Sequence, residues 1–193
     1  MTRAEVITGV LQREGWPAVT DKPSDRGGLT KGGVTWLNYN RWLQKQGRPL
    51  VSREDFPALT EGDAREFYFD QFLRPFEFVA RDSEALFVML ADWAVMSGPD
   101  DPARGLQRVL ARLGQYRGKV DGVPGPQTMT AWGRATGGEP LFVEGIRKAL
   151  VAERILAHAT SALDAPARAL MEVHPETQLH NLRGWLRRAT EFI

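Results

Sequence analysis

Residues 14–35 read EGWPAVTDKPSDRGGLTKGGVT, and they decide how the N-terminal half of the chain is organised. The stretch has no apolar period of 2 or 3.6 and is dense in Gly, Asp, Ser and Thr. It therefore reads as a long loop or a small irregular β-hairpin between helices. A loop of that length in a compact chain more often carries function than merely connects. On its N-terminal side, Thr2 and Glu5 have capping-box spacing, and Val6, Ile7, Val10 and Leu11 form one apolar stripe. Gly15 and Pro17 end that helix, which leaves Glu14 on its last turn.

On the C-terminal side helical spacing resumes at Thr35, with Trp36, Leu37, Trp42 and Leu43, and stops near Gly47. Ser52 with Asp55 predicts a short capped helix, and Thr60 with Asp63 predicts another that carries Phe67, Tyr68, Phe72 and Leu73. Ser83 is placed to cap the apolar run ALFVMLADWAVM, which ends at Ser97-Gly98-Pro99. Leu106, Val109, Leu110 and Leu113 repeat the helical spacing up to Gly114. The turn-rich stretch GKVDGVPGPQT follows, then a helix capped near Gln127 or Thr128 and a longer one from about Glu139 past Ile155. A closing helix would align Leu179, Leu182, Trp185, Leu186, Ala189 and Phe192. Trp93, Trp132 and Trp185 sit at core spacing. The fold class expected is mainly α with a small loop or hairpin region.

Composition narrows the chemistry. Hydrophobic residues make up 42% of the 193 and charged ones 25%, enough for a real core in a soluble chain. Twenty-five basic against 24 acidic residues leave a net charge of +1, so neither nucleic acid nor an anionic membrane surface is the expected partner. No run reaches the ~18 apolar residues of a membrane span. The N-terminus is amphipathic and lacks the pattern of a signal peptide, so synthesis in the cytoplasm is expected. There is no cysteine, and the three histidines are His158, His174 and His180. The last two are not spaced as helical metal ligands, so no metal and no cofactor is expected.

Glu14 is the residue with chemical potential. A carboxyl at the C-terminal end of a helix faces the negative end of the macrodipole, and a flanking Trp16 would hinder its solvation. Both favour the protonated form that a general acid needs. The following loop supplies Asp21, Asp25 and Thr30, all able to return over the helix end. A carboxylic acid facing a second polar or acidic group is the minimum for cleaving a glycosidic bond. A Glu at a helix end is also commonly just solvated, and Asp-Gly loops are commonly just turns. Spacing alone leaves both readings open.

The stretch 14–35 resembles the signature of glycoside hydrolase family 108, a lysozyme-like family. Glu14 and Gly15 match its head, Asp25, Gly27 and Gly28 its central turn, and Thr30, Lys31, Gly33, Val34 and Thr35 its tail. Asp92, Ala94, Ser97, Gly98, Pro99, Leu106 and Gln107, then Asp121, Gly122, Gly125, Thr128 and Ala131, are similar to the small peptidoglycan-binding region that follows in such proteins. The resemblance runs in order through nearly the whole chain. It departs at Gly15-Trp16-Pro17, where the family has Gly-Gly-Tyr, in a slightly longer spacer before Gly27-Gly28, and at Met96, where the family often has Asn.

The resemblance implies an N-acetylmuramidase acting on the β-1,4 linkage of the glycan strand, without cofactor. Glu14 would be the acid. Asp25 would activate water or stabilise positive charge on the sugar, with Asp21 as second choice, and Thr30 would position water or substrate. Trp16 and Trp36 could stack on sugar rings, with Tyr68 and Asp121 as further substrate contacts; Asp121-Gly122 reads equally well as a turn. Residues 1–80 would form the lysozyme-like catalytic region and 81–193 a helical peptidoglycan-binding region packed on it. The expected partner is the peptidoglycan glycan strand, met by a monomer in the periplasm or at the wall after passage through a holin or a secretion apparatus, for lysis or protein export. The rival reading is a non-catalytic wall-binding or export-adaptor protein on the same fold.

Overall fold

The computed structural model describes residues 3–21 and 28–169 of the chain. The expectations for Thr2, Asp25, Gly27, His174, His180, Trp185 and the closing helix at 179–192 lie outside the described residues. The chain divides into two compact units, Met1–Glu77 and Phe78–Ile193.

In the first unit, helix α1 (Arg3–Arg13) buries Val6, Ile7, Val10 and Leu11, the stripe its spacing predicts. The loop after it holds more strand than one hairpin. Strands β1 (Val19–Thr20), β2 (Thr30–Lys31) and β3 (Val34–Thr35) form an antiparallel sheet in the order β1-β2-β3. Thr20 pairs with Thr30, and Thr30 in turn with Thr35. Helix α2 (Trp36–Lys45) starts at Thr35, whose hydroxyl accepts from the Asn38 amide. Ser52 and Asp55 do hydrogen-bond to each other, yet only a single 3-10 turn, Phe56–Ala58, follows. Helix α3 (Glu61–Tyr68) opens on the complete Thr60–Asp63 capping box. It then widens into a π turn at Phe69–Leu73 and tightens to 3-10 at Arg74–Phe76, where Pro75 has no amide to continue an α-ladder. Tyr39, Trp42 and Phe67 meet at the centre, with Trp42 and Phe67 edge to face at 5.8 Å.

The second unit begins with most of the short helix α4 (Glu77–Ala80) and is built on α5 (Glu84–Ser97). Helix α5 is capped by the Ser83 hydroxyl, is buried at every position from Leu86 to Ala94, and ends at Gly98 with φ +86°. Helices α6 (Asp100–Arg112), α7 (Pro126–Thr136) and α8 (Pro140–Ala169) complete the described part. Trp93 and Trp132 are core residues, as their spacing predicts. A Cβ on Gly105 would lie 2.7 Å from the Trp93 ring, so this glycine is what lets α6 approach α5. Thr128 does not cap α7. The cap is Gly125 with Pro126 at the first helical position, while Thr128 is buried and accepts from the Gln107 amide at 3.3 Å.

Helices α6 and α8 are clamped by charge. Glu153, 3% exposed, accepts from Arg108 at 2.6 Å and from Arg112. Burial pushes the Glu153 carboxyl upward, but the hydrogen bonds from Arg108 and Arg112 outweigh it and hold the group below the ordinary glutamate range. A carboxyl depressed in the folded state contributes stability above its unfolded pKa and loses it as the pH falls through the folded value. Glu153→Gln is therefore expected to lower the unfolding free energy by about 1–3 kcal/mol at pH 7. The gap should narrow once the pH drops below the ordinary glutamate range. Parallel denaturant titrations at several pH values check this, and a gap independent of pH would contradict it.

Candidate active site

Glu14 owes its place to the end of α1. The Trp16 amide donates to the Leu11 carbonyl and the Gly15 amide to the Gln12 carbonyl, at 2.9 and 3.2 Å, with Gly15 at φ +75°. This is a Schellman ending, in which the left-handed residue is glycine because a Cβ would be strained there. Glu14 is thus the cap itself, one residue past the last helical position, and its side chain is exposed. The Trp16–Pro17 peptide bond that follows is cis.

The other half of the site is the turn between β2 and β3. Gly32 and Gly33 have φ +50° and +78°, the pair of left-handed residues that a two-residue type I′ hairpin requires. Both are packed against neighbours. A Cβ on Gly32 would lie 2.5 Å from Cε3 of Trp16. One on Gly33 would lie 2.5 Å from Oη of Tyr68 and 2.8 Å from Oε2 of Glu14. The Glu14 carboxyl therefore rests along the backbone of Gly33, and Trp16 rests on Gly32 rather than shielding Glu14 from water. The Gly32 amide also donates to the Ala18 carbonyl at 3.0 Å, which ties the turn to the chain leaving α1.

Two side chains hold this turn. Tyr68, the last residue of α3, donates its hydroxyl to the Gly32 carbonyl at 3.1 Å. It was expected to touch substrate, but it is 3% exposed and lies under the turn instead. Burial, and then the negative charge of Glu14, raise the pKa of the Tyr68 phenol, so it stays neutral. Lys31 donates to the carbonyls of Pro57 and Leu59 at 2.6 and 2.8 Å, and its ammonium stands 5.2 Å from the centre of the Trp16 ring. Sequence reasoning gave Lys31 no role, since a lysine that seeks backbone carbonyls looks the same in sequence as a solvated one. Lys31→Met keeps the stem and removes the ammonium. It is expected to cost about 1–3 kcal/mol of stability, read as a lower denaturant midpoint at unchanged slope; an unshifted midpoint would show that the anchor contributes nothing.

The remaining sequence-predicted residues are less closely gathered. Thr30, half-buried on β2, donates its hydroxyl to the Gly28 carbonyl at 3.1 Å. Asp21 is exposed, and both of its oxygens lie 2.8 Å from one nitrogen of Arg53, so it is not a free carboxylate. Trp36, half-buried on α2, donates its indole N–H to the Val51 carbonyl, a carbonyl it shares with Asn40. Asp121 belongs to the second unit. There its carboxylate accepts from the Gln107 amide at 2.9 Å and from the Val123 amide at 2.9 Å, and the Gln107 bond leads in holding its pKa down. Its observed contacts are those of a turn. Among the described residues no cluster of His, Asp and Glu could hold a metal ion, and no helix is long and apolar enough to cross a membrane.

Comparison with known proteins agrees with the fold. Residues 7–98 match the family model described as Glycosyl hydrolase 108. The fold is similar to that of SagA from Brucella abortus, with a TM-score of 0.62 at 23% sequence identity over 98% of this chain and 94% of that one. No curated protein matches the chain. A mainly α chain with one small antiparallel sheet is the architecture the lysozyme-like resemblance implied.

Proposed function

Since residues 7–98 match the glycosyl hydrolase 108 family model, we propose that the protein belongs to that family and hydrolyses the β-1,4 bond of peptidoglycan glycan strands, with Glu14 as general acid. The observation that carries this reading is the Glu14 carboxyl, exposed at a rigid helix cap with its Oε2 against the backbone of Gly33. It is open to a substrate on one side and braced on the other, which is what proton donation to a leaving oxygen requires. Glu14 would protonate the glycosidic oxygen. Asp25 would activate water or balance the positive charge developing on the sugar, and Thr30 would orient that water. Trp16, half-buried and in contact with the turn at Gly32, would offer what indole surface Lys31 leaves open for a sugar ring to stack on. The strand would be met at the wall or in the periplasm, for lysis or export, with residues 81–193 giving added hold on the peptidoglycan.

The test is mass spectrometry of the products released from purified peptidoglycan. Fragments with reducing muramic acid ends are expected, and their absence would remove the muramidase reading. A second reading, a wall-binding or export-adaptor protein, has its own support: Asp21, the alternative second carboxylate, is engaged by Arg53. Sedimentation with peptidoglycan in the absence of any released fragment would favour it.

A further inference from the structure

We propose that Tyr68 is a positioning residue for Glu14, acting through the Gly32-Gly33 turn: its hydroxyl fixes the orientation of the peptide between the two glycines, and that peptide braces the acid. The inference rests on Glu14 being the acid.

Why a tyrosine stands here is not explained by packing. Tyr68 is 3% exposed and lies 5.7 Å from both Phe67 and Phe72, ring centre to ring centre, so a phenylalanine would fill the same space. The net contribution of one such hydrogen bond to stability is small, because the unfolded chain gives the hydroxyl to water. What the hydroxyl adds is direction. It reaches a carbonyl 36 residues away in sequence, at the apex of a two-residue hairpin.

That carbonyl is a switch point. Type I′ and type II′ turns differ by a half-rotation of their central peptide, which here is the one linking Gly32 to Gly33. With a side chain at either position sterics would help choose, but two glycines leave both rotations open. The observed φ of +50° and +78° is the type I′ choice. A flip would send the Gly32 carbonyl away from Tyr68 and take Gly33 to negative φ, so the surface against the Glu14 carboxyl would change. The Tyr68 hydroxyl makes its hydrogen bond in only one of the two states. The Tyr68 hydroxyl oxygen and Oε2 of Glu14 flank the same point in space, 2.5 and 2.8 Å from where a Cβ on Gly33 would stand.

Tyr68→Phe tests the idea. The expected result is a fall in kcat of about 10-fold or more, since small displacements of a reacting group are costly. KM and sedimentation with peptidoglycan should stay unchanged, because no substrate contact is removed. A second readout does not depend on turnover: with 13C-labelled glutamate, the Glu14 carboxyl resonance, assigned through Glu14→Gln, should shift in Tyr68→Phe while the other glutamates do not. An unmoved Glu14 resonance, or a wild-type kcat in Tyr68→Phe, overturns the proposal. If the wild type itself releases no fragments, the hydrolase reading fails, and the resonance still decides whether Tyr68 positions Glu14.

Discussion

Glu14→Gln is expected to remove wall-clearing activity while leaving the fold as it is. Glutamine has the shape of the protonated acid but no proton to give, and general acid catalysis contributes on the order of 10² to 10⁴ in rate. With Glu14 as the proposed donor of the proton to the leaving oxygen, the loss should lie at the upper end of that range. Stability should not suffer. The bonds that end α1 are backbone bonds from Gly15 and Trp16, and the Glu14 side chain is exposed. Removing a negative charge from a helix C-terminus is favourable by a few tenths of a kcal/mol if it has any effect. Turbidity clearing beside thermal unfolding reads both quantities. Clearing at the wild-type rate by Glu14→Gln would take the acid role away from this residue.

Gln107→Leu should be the most destabilising of the polar changes considered. Gln107 is fully buried, and its amide organises the loop that carries Asp121-Gly122. The side-chain nitrogen lies 2.9 Å from the Asp121 carboxylate and 3.0 Å from the Val123 carbonyl, and its oxygen accepts from the Gly122 amide at 3.0 Å. Tyr116 and Thr128 hydroxyls stand at 3.2 and 3.3 Å from the same nitrogen. Leucine fills the volume but leaves the Gly122 amide and the Thr128 hydroxyl without that partner in a dry interior. About 2–4 kcal/mol is expected, measured by denaturant unfolding. A loss within 0.5 kcal/mol, the ordinary range of a surface change, would mean that the loop holds itself.

The elements that could be read from the sequence are those fixed by neighbours along the chain. Thr60 with Asp63, Ser83 before its apolar run, and Gly98 after it are local devices, and each works as its spacing predicts. The stripes of α1 and α6 are periodic, and so visible. Less legible were features made by partners far apart in the chain. Tyr68 was expected to touch substrate because nothing nearby says that it will lie under a turn 36 residues earlier. The bond of Asp21 to Arg53, 32 residues later, turned a candidate base into half of an ion pair. Thr128 had the residue type of a helix cap, but Gly125 and Pro126 took that place, and a buried amide claimed its hydroxyl. Within the site, Glu14 and Gly33 stood out in sequence, and Gly32 did not. The contact between Glu14 and Gly33 did not either, because close backbone approach leaves no mark except the absence of a side chain.

The exposure of Glu14 has an evolutionary consequence. The side chain of Glu14 is exposed, whereas Gly33 is hemmed in by Tyr68 and Glu14, and Gly32 by Trp16. Selection for folding alone would preserve the glycines and the tyrosine ring while remaining indifferent to the carboxyl. A lineage relieved of the need to cut could therefore drift at position 14 in a single neutral step, still carrying the turn that once braced the acid. On this scaffold a retained Gly32-Gly33 pair would speak for the fold alone, and the residue at 14 would be among those that tell a working blade from its sheath.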